Sequence, residues 1–334
     1  MPRRPLLSII APLVALLLVA CSASSPVTDS TPDSPDATAA PASGGTLTVG
    51  RTAAPDSLNP GSGYVTESFD IWFLVYDTLI YTDLRNQPQP LLASEWSVGE
   101  DGRTWTFKLR EGATWHDGTP LTAEDVVFTF ELLRDFESFG LFKVYADVLE
   151  RATATDATTA VLTFSEPVAD TDERFSSVPI LPRHIWSALG DEAAVLEYEN
   201  TEMIGSGPFR MAEYVPGQFT RLEAVKDHYF DPPAIDEVIF RVFGNGDAMV
   251  QALRIGEIDL IEVQSNTVVR SLQSEASIQV EVGTQAALTD IFFNVVTPEN
   301  CPPDVGVCSG HPALQDVRVR QRSHTLPTSS SGSR

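Results

Sequence analysis

Positive charge is scarce in this chain. Its 334 residues carry 22 Lys and Arg against 46 Asp and Glu, a formal net charge of −24. Gripping a phosphate backbone takes clustered cations, so nucleic-acid binding is excluded. The same charge is repelled by anionic lipid headgroups, so attachment to a membrane needs another device. Histidine and cysteine are scarce as well, with five and three residues. No HExxH, GxSxG or phosphate-loop pattern occurs, which removes the usual sequence marks of a zinc protease, a serine hydrolase and an NTPase. An extracellular enzyme would have to draw on His116, His184, His228 and His311, and these are scattered without partner spacing. No cofactor, no metal and no catalytic residue is therefore expected. Long apolar runs are missing too, apart from one of 15 residues near the start, too short to span a bilayer comfortably.

That run, Leu6 to Ala20, follows Arg3 and Arg4 and reads as a secretory signal over residues 1–20. It ends "LVAC", which resembles the bacterial lipobox. In that class of signal the cysteine is lipidated and becomes the first mature residue, here Cys21. The alternative is an ordinary secretory signal with an incidental cysteine. Removing Arg3 and Arg4 with the signal takes the charge from −24 to −26. Residues 21–45 are rich in Ser, Thr, Pro, Asp and Ala, show no hydrophobic period, and read as a disordered tether. A coil of that length reaches roughly 25–30 Å.

Hydrophobic residues make up 43% of the chain, so the remainder is expected to pack a core. "GTLTVG" (45–50) reads as a strand and 54–63 as a loop. Phe69, Trp72, Phe73, Tyr76, Leu79 and Ile80 fall at helical spacing, which predicts a helix over 66–80 capped by Thr66 or Ser68. Trp105, Phe107 and Leu109 alternate with polar residues, as in a half-buried strand after a turn at Glu100-Asp101-Gly102. In "TWHDGTPLTAEDVVFTFELL" (114–133), Asp117-Gly118 is a turn. Thr122 with Asp125 approaches a capping box, and Val126, Phe130 and Leu133 mark one helical face. His116 is read as structural, with a cleft-lining role as the alternative. Further strands are expected at 159–168, 235–243 and 289–296. A hairpin is expected across 205–230, and a helix stopped by Gly256 before a strand across 247–261. "PENCPPDVGVCSGHP" mimics a nucleophile elbow at Cys308. It is too rich in Pro and Gly for the strand and helix that an elbow needs, so a Cys301–Cys308 disulfide is the expectation.

Taken in order, "GGTLTVG", "PDSLNP", "LVYDTLIY", "TWTFKLREGATWHDGTPLTAEDVVFTFELL", "GSGPFRMAEYVPGQFTRLEAVKDHYF", "AIDEVIFRVF", "MVQALRIGEIDL", "FFNV" and "DVRVRQ" resemble the family-five solute-binding proteins of bacterial ABC transporters. The resemblance implies a mixed α/β, periplasmic-binding-protein-like type II (cluster C) fold over residues 46–320. It implies a monomer that captures a peptide or similar small solute outside the cytoplasmic membrane and passes it to permease subunits. Nickel chelates and oligosaccharides also occur as ligands in the family. It points to Tyr64, Val65 and Thr66 after the first strand, Ser206, Gly207 and Phe209 in the glycine loop, and Asn294 as ligand contacts. The alternative is that Tyr64 and Phe209 pack within the lobe.

Departures from the family pattern begin at residues 321–334, "QRSHTLPTSSSGSR", where an alanine-rich helix is expected. With GC-rich codons, one restored G after Gln321 gives Gln-Ala-Val-Ala-His-Ala-Ala-Asp-Val-Val-Val-Gly. A single-base frameshift is thus the expectation, leaving the first lobe and its extra subdomain without the second lobe. Exposed apolar patches, open sheet margins and impaired binding follow from that expectation, with a non-functional fragment as the alternative.

Overall fold

The computed structural model describes residues 44–85, 87–137, 139–169, 171–263, 265–282, 296–301 and 310–319. The chain divides into two compact units, residues 1–262 and 263–334. The first unit runs β1 (Thr46–Arg51), α1 (Thr66–Val75), β2 (Ile80–Thr82), β3 (Pro88–Pro90), β4 (Ala93–Val98), β5 (Thr104–Leu109) and α2 (Ala123–Asp135). It continues with β6 (Leu149–Asp156), β7 (Thr159–Phe164), α3 (Thr171–Ser177), α4 (Arg183–Trp186) and α5 (Glu192–Glu197). It closes with β8 (Phe209–Val215), β9 (Phe219–Ala224), β10 (Glu237–Val242), α6 (Gly246–Arg254) and β11 (Leu260–Ile261).

Two sheets organise this unit. The larger has the order β11-β1-β10-β9-β8, with β1 parallel to both of its neighbours and β10, β9 and β8 antiparallel. The β10–α6–β11 connection crosses over β1 and leaves it between β10 and the edge strand β11. The second sheet, β4-β5-β7-β6, is antiparallel throughout. Its inner face follows the predicted alternation, with Trp105, Phe107 and Leu109 buried. Phe175 of α3 sits among the aromatics of this sheet and of α2, with ring centroids 4.6 Å from Phe107, 5.3 Å from Trp105, 6.2 Å from Phe130 and 6.3 Å from Phe164. Such tilted packing adds to the area that each ring buries. Helix α2 brings Val126, Phe130 and Leu133 to that core, all buried. At its start the Thr122 amide donates to Asp125 Oδ2 at 2.8 Å, as the sequence reading expected.

Helix α1 is shorter than predicted. It ends at Val75, so Leu79 and Ile80 lie beyond it and Ile80 opens β2. The predicted caps are displaced as well. Val65 is the N-cap and contributes no side-chain bond. Asp56 substitutes from the preceding loop, accepting from the Tyr64 amide at 2.9 Å and the Ser68 hydroxyl at 2.7 Å. Burial alone would raise the Asp56 pKa; hydrogen bonds from Ser68 and from the Tyr64 and Val65 amides outweigh it and hold the carboxyl below its ordinary value.

The outer face of the large sheet carries charge instead of a bare apolar layer. Arg221 reaches Glu237 and Glu223 at 3.1 Å and Glu213 at 3.5 Å, while Arg210 meets Glu223 at 3.2 Å. Exposed large apolar side chains elsewhere include Leu84, Ile255, Val144 and Tyr64.

In the second unit, α7 (Asn266–Gln273) is capped by the Ser265 hydroxyl and buries Leu272. The Gly310 amide donates to the Val296 carbonyl at 2.9 Å. Cys301 is disulfide-bonded. The predicted strand at 289–296 lies outside the described residues except for Val296, and Cys308 lies outside them altogether.

Candidate functional site

Strand β1 delivers Val49 and then Arg51 to the inner side of the large sheet. Register places Val49 beside Phe240, Phe240 beside Thr220, and Thr220 beside Tyr214, a row across four strands. Just past this row, at the carboxyl ends of β1 and β10, a shallow depression opens to solvent. Arg51, Ala53 to Pro55, Glu67 and Ile71 of α1, and the β8–β9 turn line it together with Tyr214, Thr220 and Phe240. Arg51 donates from Nε at 2.9 Å and Nη2 at 2.6 Å to Asp70 Oδ2, and its guanidinium lies 5.7 Å from the Phe240 ring centre. The carboxyl end of a parallel strand is where open α/β sheets bind ligands.

A second polar grouping lies at the opposite end of α1. Its helical path is stopped by the glycine loop: the Gly207 amide donates to the Val75 carbonyl at 2.8 Å, and the Asp77 amide to Ser206 Oγ at 3.3 Å. His116 stitches the same loop from the other side. Its Nδ1 accepts from the Gly205 amide at 3.2 Å, its Nε2–H donates to the Gly207 carbonyl at 2.9 Å, and its amide donates to the Gly205 carbonyl at 2.8 Å. Beneath lies Asp77, 2% exposed. Its Oδ2 accepts from the Tyr229 hydroxyl at 2.5 Å and faces His228 Nε2 at 3.4 Å, while that nitrogen is 3.2 Å from the Ser206 carbonyl. Burial, then the Asp77 charge and its hydrogen bond, push the Tyr229 pKa up, so the phenol stays protonated. The bonds of this cluster are those of a structural junction.

Burial lowers the His116 pKa from its ordinary 6.5, against smaller upward pulls from the Gly207 carbonyl and Asp77. The neutral ring is also what its bonds require, because Nδ1 is an acceptor. The unfolded chain therefore takes up a proton at higher pH than the folded one. The stability His116 contributes is complete above about pH 6.5 and is lost as pH falls through its lower folded value. Urea midpoints measured from pH 7.5 to 5 are expected to fall. In His116→Asn, whose amide oxygen can still accept from Gly205, that part of the pH dependence is expected to vanish.

The sequence-predicted contacts divide into two groups. Tyr64 (57% exposed), Val65 and Thr66 stand at the N-terminus of α1. Ser206, Gly207 and Phe209 are buried at its C-terminal end, Phe209 at 6% exposure. A ten-residue helix separates them by about 15 Å, so they do not share one surface. Asn294 and Cys21 lie outside the described residues. His116 and Asp117 do not form a reactive pair. Asp117 accepts from the Thr119 amide at 2.9 Å and faces His184 Nε2 at 2.8 Å. Sequence reasoning missed Arg51, Glu67, Tyr214 and Thr220. An arginine on the inward phase of β1, two residues after Val49, was the available signal. It missed the Asp77–His228–Tyr229 grouping as well, since Asp77 and His228 stand 151 residues apart.

Comparison with known proteins identifies the fold and the family. The family model of bacterial extracellular solute-binding proteins, family 5 Middle, matches residues 87–321. A Brucella ovis protein named as an ABC transporter peptide-binding protein is 31% identical over 230 residues, 68% of this chain and 43% of the relative. Oligopeptide-binding protein AppA of Bacillus subtilis is 30% identical over 264 residues, 75% of this chain and 46% of AppA. The solved structure of AppA with a nonapeptide superposes with a TM-score of 0.63 at 28% identity, covering 66% of this chain and 44% of AppA. The fold is thus the periplasmic-binding-protein type II fold, and the chain spans less than half the length of the curated relatives it matches. By its sequence match and by its fold, the chain belongs to the bacterial extracellular solute-binding proteins, family 5.

Proposed function

We propose that the chain serves as part of the substrate receptor of an ABC importer. It takes up a peptide outside the cytoplasmic membrane for delivery to permease subunits. The observation that carries this reading is the depression at the carboxyl ends of β1 and β10, bounded by α1 and the β8–β9 turn. AppA, a relative of the same fold, was solved with a nonapeptide, which supports a peptide as the solute class here. No catalytic chemistry is assigned to the site, whose polar groups suit binding. Isothermal titration of the purified chain with peptides of defined length tests the reading. Saturable heat with one peptide class supports it, and no heat with any peptide overturns it.

Anchoring belongs to the same proposal. Among the described residues no helix is long and apolar enough to cross a membrane. A lipid on Cys21 would hold the folded units at the outer face on the tether of residues 21–45. Cys21→Ala is expected to move the protein from the membrane fraction to the soluble extracellular fraction and to abolish labelling by a radioactive fatty acid. Labelling that survives the substitution would show another attachment point.

A further inference from the structure

We propose that the depression at the end of β1 is a subsite for a primary ammonium group, such as the side chain of a lysine in a bound peptide. The inference rests on the solute-binding reading above and deepens it. Charge gives the first argument. Arg51 is committed to Asp70 through two of its nitrogens, so that pair is neutral to a visitor. Glu67, the remaining charged residue of the lining, has no hydrogen bond or ion pair among the described residues. The depression therefore carries one uncompensated negative charge. An entering anion would meet the unpaired Glu67.

Two idle hydroxyls, one of them buried, give a second, independent argument. Thr220 is 1% exposed, lies on the inner row beside Tyr214 and Phe240, and lines the depression. Its hydroxyl makes no hydrogen bond among the described residues, and neither does that of Tyr214. Buried polar groups are ordinarily paired, so an idle hydroxyl in a ligand-facing lining is an unused acceptor. An ammonium offers three N–H donors; Glu67, Thr220 and Tyr214 offer an acceptor each.

Size and walls complete the case. The room the depression offers is small, which suits an –NH3+ better than a planar guanidinium. Ile71, Phe219 and Phe240 line the approach and suit an alkyl stem, while aromatic rings attract a cation at their faces. The net charge of −24 raises the local concentration of cations around the whole molecule.

The test uses the full chain and a peptide series identical except for one position, occupied by lysine, norleucine, arginine or glutamate. Lysine is expected to bind about tenfold tighter than norleucine, with arginine and glutamate weaker than lysine. Glu67→Gln is expected to bring the lysine-to-norleucine ratio close to one, and Thr220→Val to reduce it. Equal affinities for lysine and norleucine, or a preference for glutamate, overturn the subsite while leaving the solute-binding reading intact. If no peptide binds, that reading fails, and the subsite is judged by n-butylamine alone. Amine-dependent amide NMR shifts at Glu67 and Thr220, lost in Glu67→Gln, uphold it, and unshifted resonances overturn it.

Discussion

Replacing Gly205 by alanine is expected to cost about 3–5 kcal/mol of stability. A Cβ at this position would lie 1.8 Å from the Val75 carbonyl oxygen and 2.6 Å from its carbonyl carbon. Both are backbone atoms at the end of α1, so no rotamer change relieves the overlap. Either the helix end or the glycine loop must move. Moving the loop breaks the Gly207–Val75 bond and the His116 bonds to Gly205 and Gly207 together. Since whole domains are stable by only about 5–15 kcal/mol, most of the protein would then be recovered in aggregates. A useful contrast is Gly217→Ala in the β8–β9 turn. There φ is +71° and nothing lies within 4 Å, so only backbone strain is at stake, about 1–2 kcal/mol. Urea denaturation of the two variants beside the parent decides the matter. Equal losses at both positions would show that the loop yields easily at Gly205.

Asp77→Ala is the second large effect, expected to cost about 3 kcal/mol or more. The change leaves the Tyr229 hydroxyl without its 2.5 Å acceptor and removes the carboxylate facing His228, whose side chain is 3% exposed. Leaving a buried donor unpaired costs about 1–3 kcal/mol for each group. Asp77→Asn keeps an acceptor for Tyr229 and should cost less than half as much. Combining Asp77→Ala with Tyr229→Phe should recover part of the loss, because the second change removes the stranded hydroxyl. A double-mutant cycle by chemical denaturation measures that coupling. A coupling of zero would mean that Tyr229 finds another partner.

Much of the fold is written in short stretches of sequence. The alternation of Trp105, Phe107 and Leu109 predicts β5 because both faces of a strand are set by neighbours two residues away. Thr122 and Asp125 predict the start of α2 for the same local reason. The end of α1 was not legible. Its apolar residues keep helical spacing through Ile80, and the helix stops because a loop at Gly207, far along the chain, takes the Val75 carbonyl. The junction of Asp77, His116, His228 and Tyr229 was hidden likewise, since no spacing rule relates residues that meet only after two sheets have formed. Family resemblance supplied what local pattern did not. It led to the right fold class, but its ligand contacts at Ser206, Gly207 and Phe209 fall on positions that the structure buries.

The pairing of β1 with β10 sets the timetable for folding. The Gly45 amide bonds the Asp236 carboxylate 191 residues later, and every residue of β1 pairs with one in β10. At about 5–20 residues per second, a ribosome needs roughly 10–40 s to make that interval. The second sheet, β4 through β7, is complete well before then and has its own aromatic nucleus around Phe175. During synthesis the N-terminal strand must wait, solvated and unmatched, while the middle of the chain is already compact. A chain built this way can close its largest sheet only after β10 has been made, so its first strand is matched last.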